Sequence, residues 1–256
     1  MEKKPYYLIQ SVVRTLQIIE YLSQKGEVSV KEVAEYIGEN KTTAHRFLSS
    51  IKHEGFLEQN SENKKYKLSL KLFEIGNKIV DTLDLRMIAR PILNELSAHS
   101  LQTINLGVLN KGDIVYIDKA ISGNNLRLDS PIGGRDSAHC TAMGKSILAF
   151  LSKGMQENYV NEYGLSMRTS NTITNPADFY KELDLIKQRG YARDREELAL
   201  GIECVAAPIF DNFMYPIAAI SISMPNNLEN MRRMEEYREQ IMVVSKKISS
   251  KLGAKI

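Results

Sequence analysis

The sequence predicts an α+β protein in three parts: a winged helix-turn-helix over residues 1–69, a linker helix over 70–83 and a mixed α/β domain over 84–256. Two observations predict it. The first 55 residues carry three amphipathic helical patterns broken by glycines, and a pair of short strand-like runs follows. Beyond residue 84 runs of strands are flanked by helices at both ends, the order of an α+β sheet with helices on one face.

The elements follow in order. Ser11 opens a helix with Val12, Leu16, Ile19 and Leu22 on one face, closed by Gly26. Ser29 caps a second helix whose apolar face is Val30, Val33, Ala34 and Ile37, and Gly38 breaks it. A third helix turns Ala44, Phe47, Leu48 and Ile51 inward and ends at Gly55. Its outward face offers Lys41, Thr42, Thr43, His45, Arg46 and Ser49, with no acid before Glu54. A duplex major groove admits one helix and favours donors over carboxylates, so this face reads as a DNA-facing surface. The runs FLEQN and KYKLSL form a hairpin wing with Lys64 and Lys65 near its tip.

Leu72, Phe73, Ile75, Ile79 and Leu83 then make a helical stripe, which fits packing on the next domain, a dimer seam, or both. Next come a helix (84–100), strands at 103–110, 114–121 and 126–130, and a loop running into a helix from Ala142 to Leu151. Helices near 155–162 and 177–189 follow. Val205–Phe210 and Tyr215–Ile222, separated by Asp211-Asn212, read as a β-hairpin with Cys204 at its start. Ser221 and Ser223 share one face of the second strand, where they either line a polar pocket or face solvent. The last helix turns Met231, Met234, Ile241, Val244, Ile248 and Leu252 inward.

Composition narrows the class. With 43% hydrophobic and 25% charged residues, the chain reads as a soluble globular protein. No apolar run approaches the ~20 residues of a membrane span, and MEKKPYYLIQ is not a signal peptide, so a cytoplasmic location is expected. Two cysteines and four histidines without metal-ligand spacing predict neither a disulfide framework nor a metal site, and no cofactor is expected. The net charge is only +3, but residues 40–71 hold seven Lys and Arg against three Glu. On charge alone that patch is a solvated surface.

The stretch GYARDREELALGIECVAAPIFD carries a more specific pattern. Gly190, Asp194, Glu197, Cys204, Val205, Ala206, Ile209, Phe210 and Asp211 occupy places that resemble the signature of the IclR family of bacterial transcriptional regulators. SVVRTLQIIEYL, IGENKTTAHRFLSSIKHEGFLE and KYKLSLKLFEIG look like the family's opening helix, recognition segment and wing. The resemblance covers nearly the whole chain. It implies a repressor with a GAF-like effector-binding domain, acting as a homodimer or homotetramer on a double-stranded DNA operator. Thr42, Thr43, His45 and Arg46 would be the readers; Ser11, Arg14, Ser29, Lys64 and Lys65 would hold phosphates.

The loop IGGRDSAHCTAMGKSILAFL meets a helix N-terminus at Ala142-Met143-Gly144, whose N–H groups suit a carboxylate. By resemblance, Thr141, Ala142, Met143, Asp194, Cys204, Ser221 and Ser223 enclose a small metabolite, with Leu128 and Ile202 as apolar wall. The sequence departs from the family at Asp136 and Ser137, where Leu-Pro is usual. Asp136 either faces solvent or, turned inward, favours a hydroxylated ligand such as a sugar acid over an aromatic one. Two rival classes remain: an enzyme using Cys204, or Cys140 beside His139, and a sensor acting only through protein partners. No third group to orient a catalytic base is apparent, and the acid-free helix face speaks against the second.

Overall fold

A computed structural model describes residues 8–81, 84–121 and 131–256. It divides into two compact units, Met1–Thr82 and Leu83–Ile256, each with its own architecture.

The first unit runs α1 (Gln10–Lys25), α2 (Val30–Ile37), α3 (Lys41–His53), β1 (Leu57–Gln59), β2 (Tyr66–Leu68) and α4 (Lys71–Asp81). Capping explains its boundaries. Ser29 and Glu32 form a reciprocal capping box at the start of α2, and Gly38 ends that helix with φ 67° in the left-handed region. Asn40 Oδ1 then accepts the Thr43 N–H at 2.9 Å, starting α3. Ile18, Leu22, Val33, Ala44, Leu48 and Tyr66 meet in the core. The inward face of α1 differs from the expected stripe: Val12 and Leu16 are 52% and 57% exposed, whereas Ile18 and Leu22 are buried. The core keeps the expected Leu22 but takes Ile18 with it, a pair about a third of a turn round the helix from Val12 and Leu16. The helix also starts at Gln10, one residue before Ser11, with no side-chain cap. β1 and β2 pair antiparallel, and Val28 bridges to Tyr66, fixing the wing to the segment before α2.

The second unit holds a six-stranded antiparallel sheet ordered β5-β4-β3-β8-β7-β6. Its strands are β3 (Thr103–Asn110), β4 (Asp113–Ala120), β5 (Arg135–Ser137), β6 (Ala192–Arg195), β7 (Ile202–Phe210) and β8 (Pro216–Pro225). Helices α5 (Asp84–Ser100) and α10 (Met234–Lys251) pack on one face, against Ile104, Val205, Ala207 and Ile220. Helices α6 (Ala142–Leu148), α7 (Lys153–Tyr163) and α8 (Pro176–Arg189) gather on the other, against Ile114, Tyr116, Ala206 and Ala219. Short α9 (Leu228–Arg232) precedes α10.

The sheet is therefore covered on both faces, not one. Residues 205–209 are buried without interruption, the pattern of a strand with two apolar sides. Edge strands β5 and β6 lie outside the predicted strands. Met231, expected inward, is 55% exposed on α9, and Tyr237 fills the core instead. The strand expected at 126–130, and with it Leu128, lies outside the described residues.

Candidate functional sites

On the first unit, α3 presents Lys41, Thr42, His45 and Arg46 to solvent, with Thr43 and Ser49 half-buried beside them. The buried side of the same helix is Ala44, Leu48 and Ile51, so apolar packing sets the rotation that turns the polar face outward. Among the described residues Lys41 and Arg46 make no ion pair. Other expected contacts are already engaged. Arg14 pairs with Glu39 in the turn between α2 and α3, tying α1 to that turn. The Ser29 hydroxyl belongs to the capping box, donating to Glu32 Oε2 at 2.7 Å. Lys64 sits at the wing turn with φ 59°, its ammonium donating to the Ser61 carbonyl at 2.7 Å. Lys65 is half-buried next to it, and Ser11 is exposed on the first turn of α1. Glu27, missed in the sequence, accepts from Asn60 and Asn63 and holds the wing turn, which lowers its pKa.

On the second unit, Thr141, Ala142 and Met143 at the start of α6 meet Asp194 of β6, Cys204 of β7 and Ser221 and Ser223 of β8 around one cavity of about 20 Å³. That volume is enough for roughly one water molecule. The sheet register makes the convergence: Asp194 opposes Cys204, Cys204 opposes Ser223, and Ala206 opposes Ser221. Tyr116 and Leu198 complete the wall. Both were missed in the sequence, although Tyr116 alternates with Ile114 on the face that the serines share.

Three expected site residues take other roles. Ile202 is half-buried at the start of β7, opposite Pro225, and is not part of the cavity wall; Leu198 is the apolar side chain there. Gly144 is a packing residue, because a Cβ at this position would overlap the Ala138 backbone. Its N–H is also spent, donated to Thr141 Oγ1 at 3.0 Å. Asp136 is half-buried and accepts from the Tyr116 hydroxyl at 2.8 Å, so it meets the cavity only through that ring. Burial raises its pKa, which the Tyr116 hydrogen bond partly offsets.

Asp194 is only 2% exposed. Its Oδ1 accepts the N–H of Glu197 at 2.7 Å and of Leu198 at 3.4 Å. Burial pushes its pKa up to about 7; Lys145 opposes the rise and Glu197 adds to it. Behind it the fully buried Lys145 ammonium donates to Glu197 Oε1, while Glu197 Oε2 has no partner. The Cys204 thiol donates to Ser223 Oγ at 3.2 Å, and Asn105 Nδ2 donates to the same oxygen at 3.0 Å. The N–H groups of Ala142 and Met143 have no partner among the described residues.

The cysteines lack the surroundings of nucleophiles. Burial pushes the Cys140 thiol up to about 12 and raises Cys204 as well. His139 Nε2 lies 2.9 Å from the Ser166 carbonyl, and burial lowers its pKa. Its ring is therefore a neutral donor to the backbone and not a base on sulfur. Among the described residues no group of three or more His, Cys, Asp or Glu could hold a metal ion. No helix of the described residues is long and apolar enough to cross a membrane.

Two family models match this chain. The IclR helix-turn-helix domain matches residues 11–61, and the C-terminal domain of bacterial transcriptional regulator IclR matches 77–250. The chain is 36% identical over 245 residues to the HTH-type transcriptional regulator KdgR of Dickeya chrysanthemi, covering 96% of this chain and 80% of that protein. It is 32% identical to the transcriptional repressor IclR of Escherichia coli, covering 96% and 90%. The crystal structure of the Thermotoga maritima IclR superposes with a TM-score of 0.84 at 33% identity, over 95% of this chain and 99% of that one.

Proposed function

The chain belongs to the IclR family of bacterial transcriptional regulators and is a DNA-binding regulator; from that premise we propose a cytoplasmic repressor whose hold on its operator is set by a small hydroxylated carboxylate. Residues 1–69 bind DNA, 70–83 link, and 84–256 bind the effector. Thr42, Thr43, His45 and Arg46 read bases; Lys41, Ser11, Lys64 and Lys65 hold phosphates. Arg14 and Ser29 keep the reading helix in place through Glu39 and the capping box.

The observation that carries the effector reading is the set of groups around the cavity. Ser221 and Ser223 are buried on one strand face, Asp194 stands beside them, and Ala142 and Met143 keep unpaired N–H groups across from them. Hydroxyls suit the serines and Asp194, and a carboxylate suits the N–H pair. At about 20 Å³ the cavity must widen to take such a molecule, so binding is coupled to movement of its walls.

The test is a thermal scan against sugar acids, keto acids and aromatic acids, paired with a mobility shift on DNA from upstream of the gene. A ligand at 100 times its dissociation constant stabilises by about 2.7 kcal/mol. Replacing both serines by Ala should erase the shift and leave DNA affinity intact without ligand. A shift that survives the double replacement removes the serines from the site.

A further inference from the structure

The cavity poses an electrostatic problem for any acid that enters it. None of its nine lining residues is Lys, Arg or His. The buried cation behind it, Lys145 on α6, already gives its ammonium to Glu197. Asp194 is the one carboxylate in the lining, and its Oδ1 is satisfied by two backbone N–H groups. A second carboxylate in this space would meet Asp194 with only neutral dipoles around it: two N–H groups and the hydroxyls of Thr141, Tyr116 and the serines. The thiols of Cys140, on the turn before α6, and Cys204, on β7, are held uncharged by burial. Beyond Tyr116, Asp136 on β5 brings a further acid, with the Arg168 guanidinium on its far side, held to Ser137 Oγ and absent from the pocket lining. Two carboxylates confined together away from water do not both stay ionised.

We propose that a carboxylate effector enters this pocket together with one proton, shared between its carboxyl group and Asp194, so that binding tightens as pH falls. The inference rests on the reading of the effector as a small carboxylate. The proton comes from solvent, and no covalent bond forms or breaks. Lys145 and Glu197 are the charged groups that face Asp194, the first working against retention of the proton and the second for it. Burial keeps a proton on Asp194 up to about pH 7. Below that pH the site is protonated in advance and little uptake accompanies binding. Above it uptake approaches one proton, and affinity falls by about tenfold per pH unit.

The test is calorimetry on the full chain with D-galacturonate, pyruvate and benzoate as probes, in phosphate and in Tris, buffers with different heats of ionisation. At about pH 8 the acid that binds should give heats that differ between the buffers by the equivalent of about one proton. Its affinity should drop about fivefold between pH 7 and pH 8, on the way to about tenfold per unit at higher pH. Asp194→Asn should bind the same acid with no buffer-dependent heat and a flat pH profile. An acid that binds the native chain equally at both pH values, with no buffer dependence, overturns the coupling and leaves the carboxylate reading standing. Full coupling retained in Asp194→Asn overturns the assignment to this residue. No binding by any of the three acids, in acidic or alkaline buffer, overturns the carboxylate reading and the coupling with it. If the variant does not fold, the buffer comparison on the native chain still decides.

Discussion

A single buried carboxyl group gives the fold a pH dependence before any ligand is present. Folded Asp194 keeps its proton up to about pH 7, whereas an exposed aspartate releases it near 3.8. A raised folded pKa means that the folded state binds more protons between those values. The stabilisation is fully present below the unfolded pKa and is lost as pH rises through the folded one. Urea unfolding should therefore show stability falling between about pH 5 and pH 7, with Asp194→Asn removing about 1 kcal/mol per pH unit of that slope. An unchanged slope in the variant would mean that another group, such as Glu197 or Asp136, carries the dependence. The site was partly legible at this scale. Asp194, Cys204, Ser221 and Ser223 stand in the family-like pattern or on one strand face. Gly144 was misread because a glycine at a helix start suits both an anion site and a tight contact, and only the Ala138 backbone decides between them. Tyr116 stayed hidden because it joins the serines through sheet pairing across β3, which spacing along the chain does not reveal.

Among the elements, α3 was the most legible, because its apolar and polar positions separate cleanly at helical period, Asn40 caps its start and Gly55, at φ 79°, follows its C-cap Glu54. Its geometry leads to a specific expectation. Arg46 is exposed, makes no ion pair among the described residues, and stands within the first two turns beyond the N-terminal cap Asn40, the part of a recognition helix that meets base edges. Arg46→Ala should cost ~1–3 kcal/mol of operator binding and relax specificity at one position, measured by mobility shift on matched and substituted sites. Equal loss on every sequence would make it a phosphate contact instead. Edge strands β5 and β6 were not legible as strands. They are three and four residues long and mostly polar, RDS and ARDR, and lack the alternation that marks a half-buried strand. In α1 Leu22 is buried as its spacing implies, but Ile18 takes the inward place expected of Val12 and Leu16, a choice that only the tertiary core makes.

For the molecule as a whole, the proposed function calls for two copies of the reading helix on a paired half-site. A winged helix-turn-helix contacts one half-site, and a paired half-site binds tightly only when a second recognition helix is held about one helical turn of DNA away. The linker helix α4 is the element positioned in sequence to do this, between the DNA-binding segment and the sensor. Its Phe73 is 68% exposed and its Ile75 42% exposed, apolar area that a lone chain leaves in water at a cost of about 25 cal/mol per Å². Ile75 shares one side of α4 with the half-buried Leu72 three residues before it, whereas Phe73 lies about 200° round the helix from Ile75. Covering the Ile75 side with the same side of a second chain is self-complementary, as two-fold symmetry requires. Leu72→Glu with Ile75→Glu places like charges on that seam. Light scattering at micromolar concentration should then report a 29.0 kDa species, where the native chain gives at least twice that mass. Operator affinity should fall steeply in the same variant, because each half-site now binds independently and the gain from linkage is lost. The thermal shift with effector should persist, since every residue lining the cavity belongs to the second unit of a single chain. A native chain that scatters as a monomer, or a variant that keeps full operator affinity, would move the pairing surface away from α4.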